Sequence, residues 1–267
     1  MLQFRRAAAS HIGLVRSNNE DSGFAGPYLL LIADGVGGAA AGEVASSTTT
    51  YVACALSMLG AEPDPLSLLG LAVDQAAAQL RAGVLADPTR TGMGTTLTAI
   101  HTDGRRFALA QLGDSRAYLL RAGGLQQLTT DHTLVQAMVD AGRMTPEQAR
   151  VSAHRNIVVR ALGGQTLPEP DLGWLDLRPG DRLLLCSDGL SDLVDDSTIA
   201  ELLVAADPED AVAALISAAL GAGGKDNVTC IVADVVDGPP LDNLGELLGA
   251  VRDLDMVLDP AAVRLEI

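Results

Sequence analysis

Cysteine is scarce in this chain: Cys54, Cys186 and Cys230 are the only three in 267 residues, widely spaced and odd in number. With no Cys-x-x-Cys pair, they argue against a disulfide framework and against a thiolate zinc site. Two of them sit inside apolar runs, so buried free thiols and a reducing compartment are expected. Long hydrophobic runs are missing as well. No stretch approaches the roughly 18 apolar residues of a membrane span, and Met1-Leu2-Gln3-Phe4-Arg5-Arg6 leads into no apolar core of signal-peptide length. The expectation is a soluble, cytoplasmic protein. Basic residues are few, 18 against 34 acidic ones, for a net charge of −16. That field repels nucleic acid and anionic membranes and argues against both as partners.

Repeats, low-complexity tracts and interdomain linkers are absent up to Pro239-Pro240. Residues 1–237 therefore read as one domain, and residues 238–267 as an acidic C-terminal extension with some helical character near residues 244–254. At this length, a hydrophobic content of 48% fills a sizeable core.

The most informative stretch runs from Tyr28 to Gly38. Residues 28–33 are apolar without alternation, as in a strand buried on both faces, and the run stops at Asp34, a charge that cannot be buried alone. Gly35, Gly37 and Gly38 then let the backbone turn sharply and bring its carbonyls close to whatever Asp34 binds. Three more aspartates occupy comparable breaks. Asp114 follows residues 107–112, Asp188 follows residues 182–187, and Asp226 precedes residues 228–235. Each alone suits turn chemistry; gathered at one end of a sheet, the four would repel strongly, and divalent cations relieve such repulsion. All-oxygen ligation selects Mg2+ or Mn2+ over zinc.

Residues 11–22 are polar and suit a loop that holds an anion and water. Arg16, its sole cation, is either a solvated charge or a planar fork for a phosphate dianion. Asp21 either caps a turn or receives hydrogen bonds from metal-bound water.

Along the chain, residues 4–10 have strand character, and residues 43–59 and 65–85 read as helices. Hairpins are expected at residues 97–112 and 115–128, and a helix over residues 133–141 is followed by a helix start at Thr145-Pro146. Residues 151–156 lack periodicity and read as a mobile flap or an ordinary connector. Strands follow at residues 172–176 and 181–187. Asp196 is placed as the cap of a helix to about residue 205, Pro208 opens another to residue 220, and residues 228–236 form the last strand. Hairpins imply antiparallel pairing, so the class is α+β, and a two-sheet sandwich with helices on both outer faces accommodates the order.

Six motifs in register carry a resemblance over about residues 5–236. They are Val15-Arg16-Ser17-Asn18-Asn19-Glu20-Asp21-Ser22, Ala33-Asp34-Gly35-Val36-Gly37-Gly38, Gly92-Met93-Gly94-Thr95-Thr96, Leu112-Gly113-Asp114-Ser115-Arg116, Cys186-Ser187-Asp188-Gly189-Leu190-Ser191-Asp192 and Lys225-Asp226-Asn227-Val228-Thr229. In this order they resemble the metal-dependent protein phosphatases of type 2C, the Mg/Mn-dependent serine/threonine phosphatases, in their bacterial catalytic-domain form.

The resemblance implies a four-layer α-β-β-α sandwich with two central, mostly antiparallel sheets. It implies that Asp34 bridges two metals, that Gly35 offers its carbonyl to the first, and that Asp188 and Asp226 complete the second. Asp114 with Asp188 matches a weaker third-metal site, to which Asn156 of the flap contributes. Arg16 matches the phosphate-binding arginine and Asp21 the carboxylate that holds metal-bound water. Many eukaryotic members carry histidine after Asp-Gly as the acid for the leaving alkoxide. Here that position is Val36, which leaves the role to metal-bound water or another group, with His132 and His154 as weak candidates.

The expected reaction is direct hydrolysis of phosphoserine and phosphothreonine by a metal-bridging hydroxide. Two ions about 4 Å apart lower the pKa of a shared water from near 16 towards neutrality. No Cys-x5-Arg pattern is present to form a phosphoenzyme. The expected partners are phosphorylated proteins, namely serine/threonine kinases and their substrates. Two other readings are a phosphatase-like regulatory module that binds a phosphoprotein without turnover, and a phosphatase of small phosphomonoesters.

Overall fold

The computed structural model describes residues 1–36, 41–60, 63–163, 168–205, 207–241 and 245–263. The chain begins with β1 (Leu2–His11), β2 (Asp21–Ala25) and β3 (Leu29–Val36), followed by α1 (Gly42–Leu59) and α2 (Pro65–Ala86). A group of strands comes next: β4 (Gly94–Thr95), β5 (Leu97–Thr102), β6 (Phe107–Leu112), β7 (Arg116–Arg121) and β8 (Gly124–Gln127). The short helices α3 (Leu134–Asp140) and α4 (Pro146–Arg150) lead to β9 (Leu162–Gly163), β10 (Asp171–Leu175) and β11 (Arg182–Cys186). Helices α5 (Asp188–Ser191), α6 (Asp196–Leu203) and α7 (Pro208–Gly221) precede β12 (Val228–Asp237) and β13 (Glu246–Gly249).

One sheet runs β1-β12-β11-β7-β8 and the other β10-β6-β5-β3-β2-β13, with β4 and β9 attached beside β3. Every pairing is antiparallel. The run in β3 lacks alternation because both its faces are covered. Leu30 and Ile32 pack with Phe4, Phe107, Leu183, Leu185 and Ile231 between the sheets, whereas Leu29, Leu31 and Ala33 pack under α1 and α2. A third apolar layer, with Leu184, Ile199, Leu215 and Val232, lies between the other sheet and α6 and α7. The result is the α-β-β-α sandwich expected from the order of elements.

Local chemistry sets the helix ends. Asp64 accepts from the backbone N–H of Ser67 with Pro65 at the first turn of α2, and Thr145 and Gln148 form a reciprocal capping box at α4. The cap of α6 is Asp195 rather than Asp196, because the Asp195 carboxylate is the one that reaches the Thr198 N–H. Asp196 already has helical geometry, and its carboxylate accepts from the Tyr118 hydroxyl.

Two further expectations are corrected. Asp21 and Ser22, read as the end of a polar loop, instead open β2; the alternation is hidden because this strand too is buried on both faces. The helical character assigned near residues 244–254 is replaced by β13 and short 3-10 turns, with residue 244 outside the described residues. β13 pairs with β2, Leu248 joins the core between the sheets, and Val251 is fully buried. The segment beyond Pro239-Pro240 thus completes a sheet edge, which a detached extension would leave unpaired.

Candidate active site

All four strand-edge aspartates, together with Asp21, belong to one end of the sandwich. Asp21 opens β2 and stands directly opposite Asp34 of β3 in the ladder. Asp114 lies in the β6–β7 turn, Asp188 is the first residue of α5 and not a turn residue, and Asp226 lies two residues before β12. Burial is the largest influence on the acidity of Asp21, Asp34, Asp114 and Asp188. Asp34 and Asp188 are raised well above the usual carboxylate range, chiefly by burial and then by Asp21 and Asp114 respectively. Burial lifts Asp21 to about 6 and Asp114 to about 7, the latter with Asp131 and Asp192 adding to it.

Serine and threonine hydroxyls hold this cluster in place. The Ser187 and Thr229 hydroxyls both donate to Asp21 Oδ2, at 2.8 and 2.7 Å, so a residue of β12 and the one just after β11 fix a carboxylate of the other sheet. Asp21 Oδ1 is buried without a partner. Around Asp34, the backbone is clamped by the Gly92–Thr96 motif. Its N–H donates to Thr96 Oγ1 at 2.9 Å, and its carbonyl accepts from the Thr96 N–H at 2.8 Å and the Thr95 hydroxyl at 2.9 Å. Gly35 has no room for a side chain, since a Cβ there would lie 2.5 Å from the Gly42 carbonyl carbon at the start of α1. Gly37 and Gly38, expected to shape this turn, lie outside the described residues.

Arg16 pairs with Asp226, Nη2 to Oδ2 at 2.7 Å, with both side chains partly exposed. The loop that carries Arg16 is pinned by Asn227, whose amide donates to the carbonyls of Ile12 and Asn18 and accepts from the Glu20 N–H at 2.8 Å. On the opposite rim, the Asn156 amide donates to Asp192 Oδ2 at 2.8 Å and Arg155 pairs with the same oxygen at 3.3 Å. Asn156 is thus brought to Asp192, one helical turn beyond Asp188. His132 has both ring nitrogens engaged with protein groups.

Reading the sequence missed the parts played by Asp192, Asn227, Ser187, Thr229 and Thr96. Asp192 had a usable signal, because carboxylates four residues apart share one helix face. The hydroxyls had none, since serine and threonine at strand ends are ordinary turn residues.

The residues fit hard divalent cations. All donors are oxygen, the aspartates repel one another, and a buried carboxylate oxygen lacks any partner. Among the described residues no three acidic, histidine or cysteine side chains already converge on one point. Asp226 is turned to Arg16 and to the Asn227 N–H.

Residues 15–222 match the protein phosphatase 2C family. The chain belongs to that family. It is 52% identical over 239 residues to the serine/threonine protein phosphatase PstP of Mycobacterium tuberculosis, an alignment covering 88% of this chain. The chain spans about half, 46%, of that relative's length. To the protein phosphatase PhpP of Streptococcus pneumoniae it is 33% identical over 230 residues, covering 82% of this chain and 92% of PhpP. The crystal structure of the M. tuberculosis PstP phosphatase superposes with a TM-score of 0.82 at 49% identity, over 88% of this chain and all of that one. The PstP catalytic domain in complex with two manganese ions gives 0.80 at 51% identity, over 89% of this chain and all of that one. The phosphatase 2C fold expected from the motifs is therefore the fold found, and no helix among the described residues is long and apolar enough to cross a membrane.

Proposed function

We propose that this phosphatase 2C chain is a metal-dependent serine/threonine protein phosphatase that hydrolyses phosphoserine and phosphothreonine without a phosphoenzyme. The observation that carries the reading is the carboxylate cluster of buried Asp21 and Asp114 with half-buried Asp34 and Asp188, beside Asp226 and the partly exposed Arg16. Asp34, the Gly35 carbonyl, Asp188 and Asp226 would hold two Mn2+ or Mg2+ ions, and Asp114 with Asp188 a third. Bound there, the ions supply a water that ionises near neutral pH and positive charge against the phosphoryl oxygens.

The chain's own groups do the rest. Arg16 presents a fork of N–H donors that orients the phosphate dianion, and Asn227 keeps the loop beneath it from drifting. Asp21 Oδ1, free of protein donors, accepts a hydrogen bond from the attacking water and aims it. With the apolar Val36 beside Gly35, the leaving oxygen takes its proton from water. The partners are phosphorylated proteins, serine/threonine kinases and their substrates among them, and three buried free cysteines suit a reducing cytoplasm.

The decisive experiment is phosphate release from a phosphothreonine peptide with Mn2+, repeated after addition of a chelator. Release that chelation abolishes is expected. No release with Mn2+, or release indifferent to the chelator, would overturn the reading.

A further inference from the structure

His132 sits between β8 and α3, 5% exposed, and all four of its polar atoms are used. Its N–H donates to the Gly113 carbonyl at 2.8 Å and its carbonyl accepts from the Val159 N–H at 2.8 Å. Nδ1 accepts from the Gly113 N–H at 3.1 Å, and Nε2 lies 3.0 Å from Asp171 Oδ2. A backbone N–H can only donate, so Nδ1 carries a lone pair and the ring proton is on Nε2, given to Asp171. This ring is thus committed to structure and is not the acid for a leaving group.

The two ends of the ring reach different parts of the site. Gly113 immediately precedes Asp114, with both its N–H and its carbonyl held by His132. Its φ is +94°, and a Cβ there would lie 2.4 Å from the Thr96 side chain, whose hydroxyl supports Asp34. Asp171 opens β10 and also accepts from Arg160 at 2.7 Å. Arg160 ends the segment that begins at Asn156, which reaches Asp192, and this segment is further tied by the Leu134 N–H to the Ile157 carbonyl at 2.8 Å.

We propose that His132 is a positioning residue whose imidazole, bridging the Gly113 N–H and Asp171, sets the Asp114 turn in register with the 156–160 segment across the acidic cluster. Its consequence for turnover rests on the phosphatase reading above; the bridge itself does not.

The two ends can be separated by substitution. In His132→Asn the amide oxygen takes the place of Nδ1 and keeps the Gly113 bond while losing Asp171. In His132→Gln the amide nitrogen takes the place of Nε2 and keeps Asp171 while losing Gly113. Amide hydrogen exchange, measured without metal or substrate, reads the bridge directly. His132→Gln is expected to speed exchange at Gly113 about tenfold. His132→Asn leaves Gly113 within about twofold of the parent and instead speeds residues 157–160. In p-nitrophenyl phosphate hydrolysis, His132→Gln needs severalfold more Mn2+ for half-maximal rate with little change at saturation, and His132→Asn, which still holds the Asp114 turn, raises the requirement less.

Two variants that behave alike at both segments would overturn the proposal, since a space-filling role predicts that result. Where both variants melt below the assay temperature, the exposed Asp171→Ala serves. It is expected to speed exchange at residues 157–160, and an unchanged rate there overturns the bridge. A parent protein without phosphatase activity would sink the proposed function and leave the exchange pattern intact.

Discussion

Asp21 and Asp34 stand directly opposite each other across the β2–β3 ladder, one buried and one half-buried carboxylate at a position where like charges oppose folding. The sheet tolerates this because Ser187 and Thr229 donate to one of the pair and the Thr95–Thr96 corner clamps the backbone of the other. The site is therefore built under electrostatic load, which cations relieve.

Removing part of that load is expected to stabilise the chelated protein. Asp34 and Asp188 are raised well above 3.8 and Asp21 to about 6, so from about pH 4 to 6 the folded state holds more protons than the unfolded chain. Their contribution to stability falls as pH rises through that window. In chelator at pH 7, Asp34→Asn should melt on the order of 3 °C above the parent, the gap closing towards pH 4, while turnover drops to background. A variant melting below the parent at pH 7 would show that repulsion is not what burdens the site.

Arg16→Ala should act on the substrate and not on the fold. Its ion pair with Asp226 is partly exposed at both ends and is worth about 0–1 kcal/mol, so the melting temperature hardly moves. Loss of charge-assisted bonds to a phosphate dianion should raise KM for a phosphothreonine peptide by about tenfold or more. Steady-state kinetics checks this, and an unchanged KM would remove Arg16 from phosphate binding.

Asn227→Ala should affect both. The buried amide makes three hydrogen bonds to the backbone of residues 12–20, and their loss should cost about 3 kcal/mol in denaturant unfolding. Because the same loop carries Arg16, KM should rise with it. Loss of stability with an unaltered KM would separate the loop from the site.

Leu248→Ala tests whether the segment beyond Pro239-Pro240 belongs to the fold. Leu248 is 1% exposed among Phe4, Ile231 and the other residues between the sheets, so truncation should cost about 2–5 kcal/mol. A change under about 0.5 kcal/mol in denaturant unfolding would mean that β13 docks without contributing.

Much of the fold was legible because its signals are local. The 28–33 run, the Pro65 and Thr145-Pro146 helix starts and the glycine-split hairpins each declare an element within a few residues. β13 and β2 were not legible. Residues 246–249 have helix-forming composition, and only the open edge of β2 makes them a strand. Asp21 and Ser22 look like the end of a loop because both faces of β2 are covered and no alternation survives. At the site, the aspartates announced themselves by interrupting apolar runs, whereas Asn227, Ser187 and Thr229 act through partners up to 215 positions away and gave no sign.

The sequence by itself determined that acidic side chains end several buried strands and that oxygen donors, not sulfur or imidazole, would meet there. Chain order and apolar periodicity suffice for that, because burying a strand is a local demand. Only the tertiary structure decided which hydroxyl holds which carboxylate, that Asp226 faces Arg16, and that His132 joins Gly113 to Asp171. Those contacts depend on strands distant in sequence closing to within a hydrogen bond, a distance no residue pattern encodes.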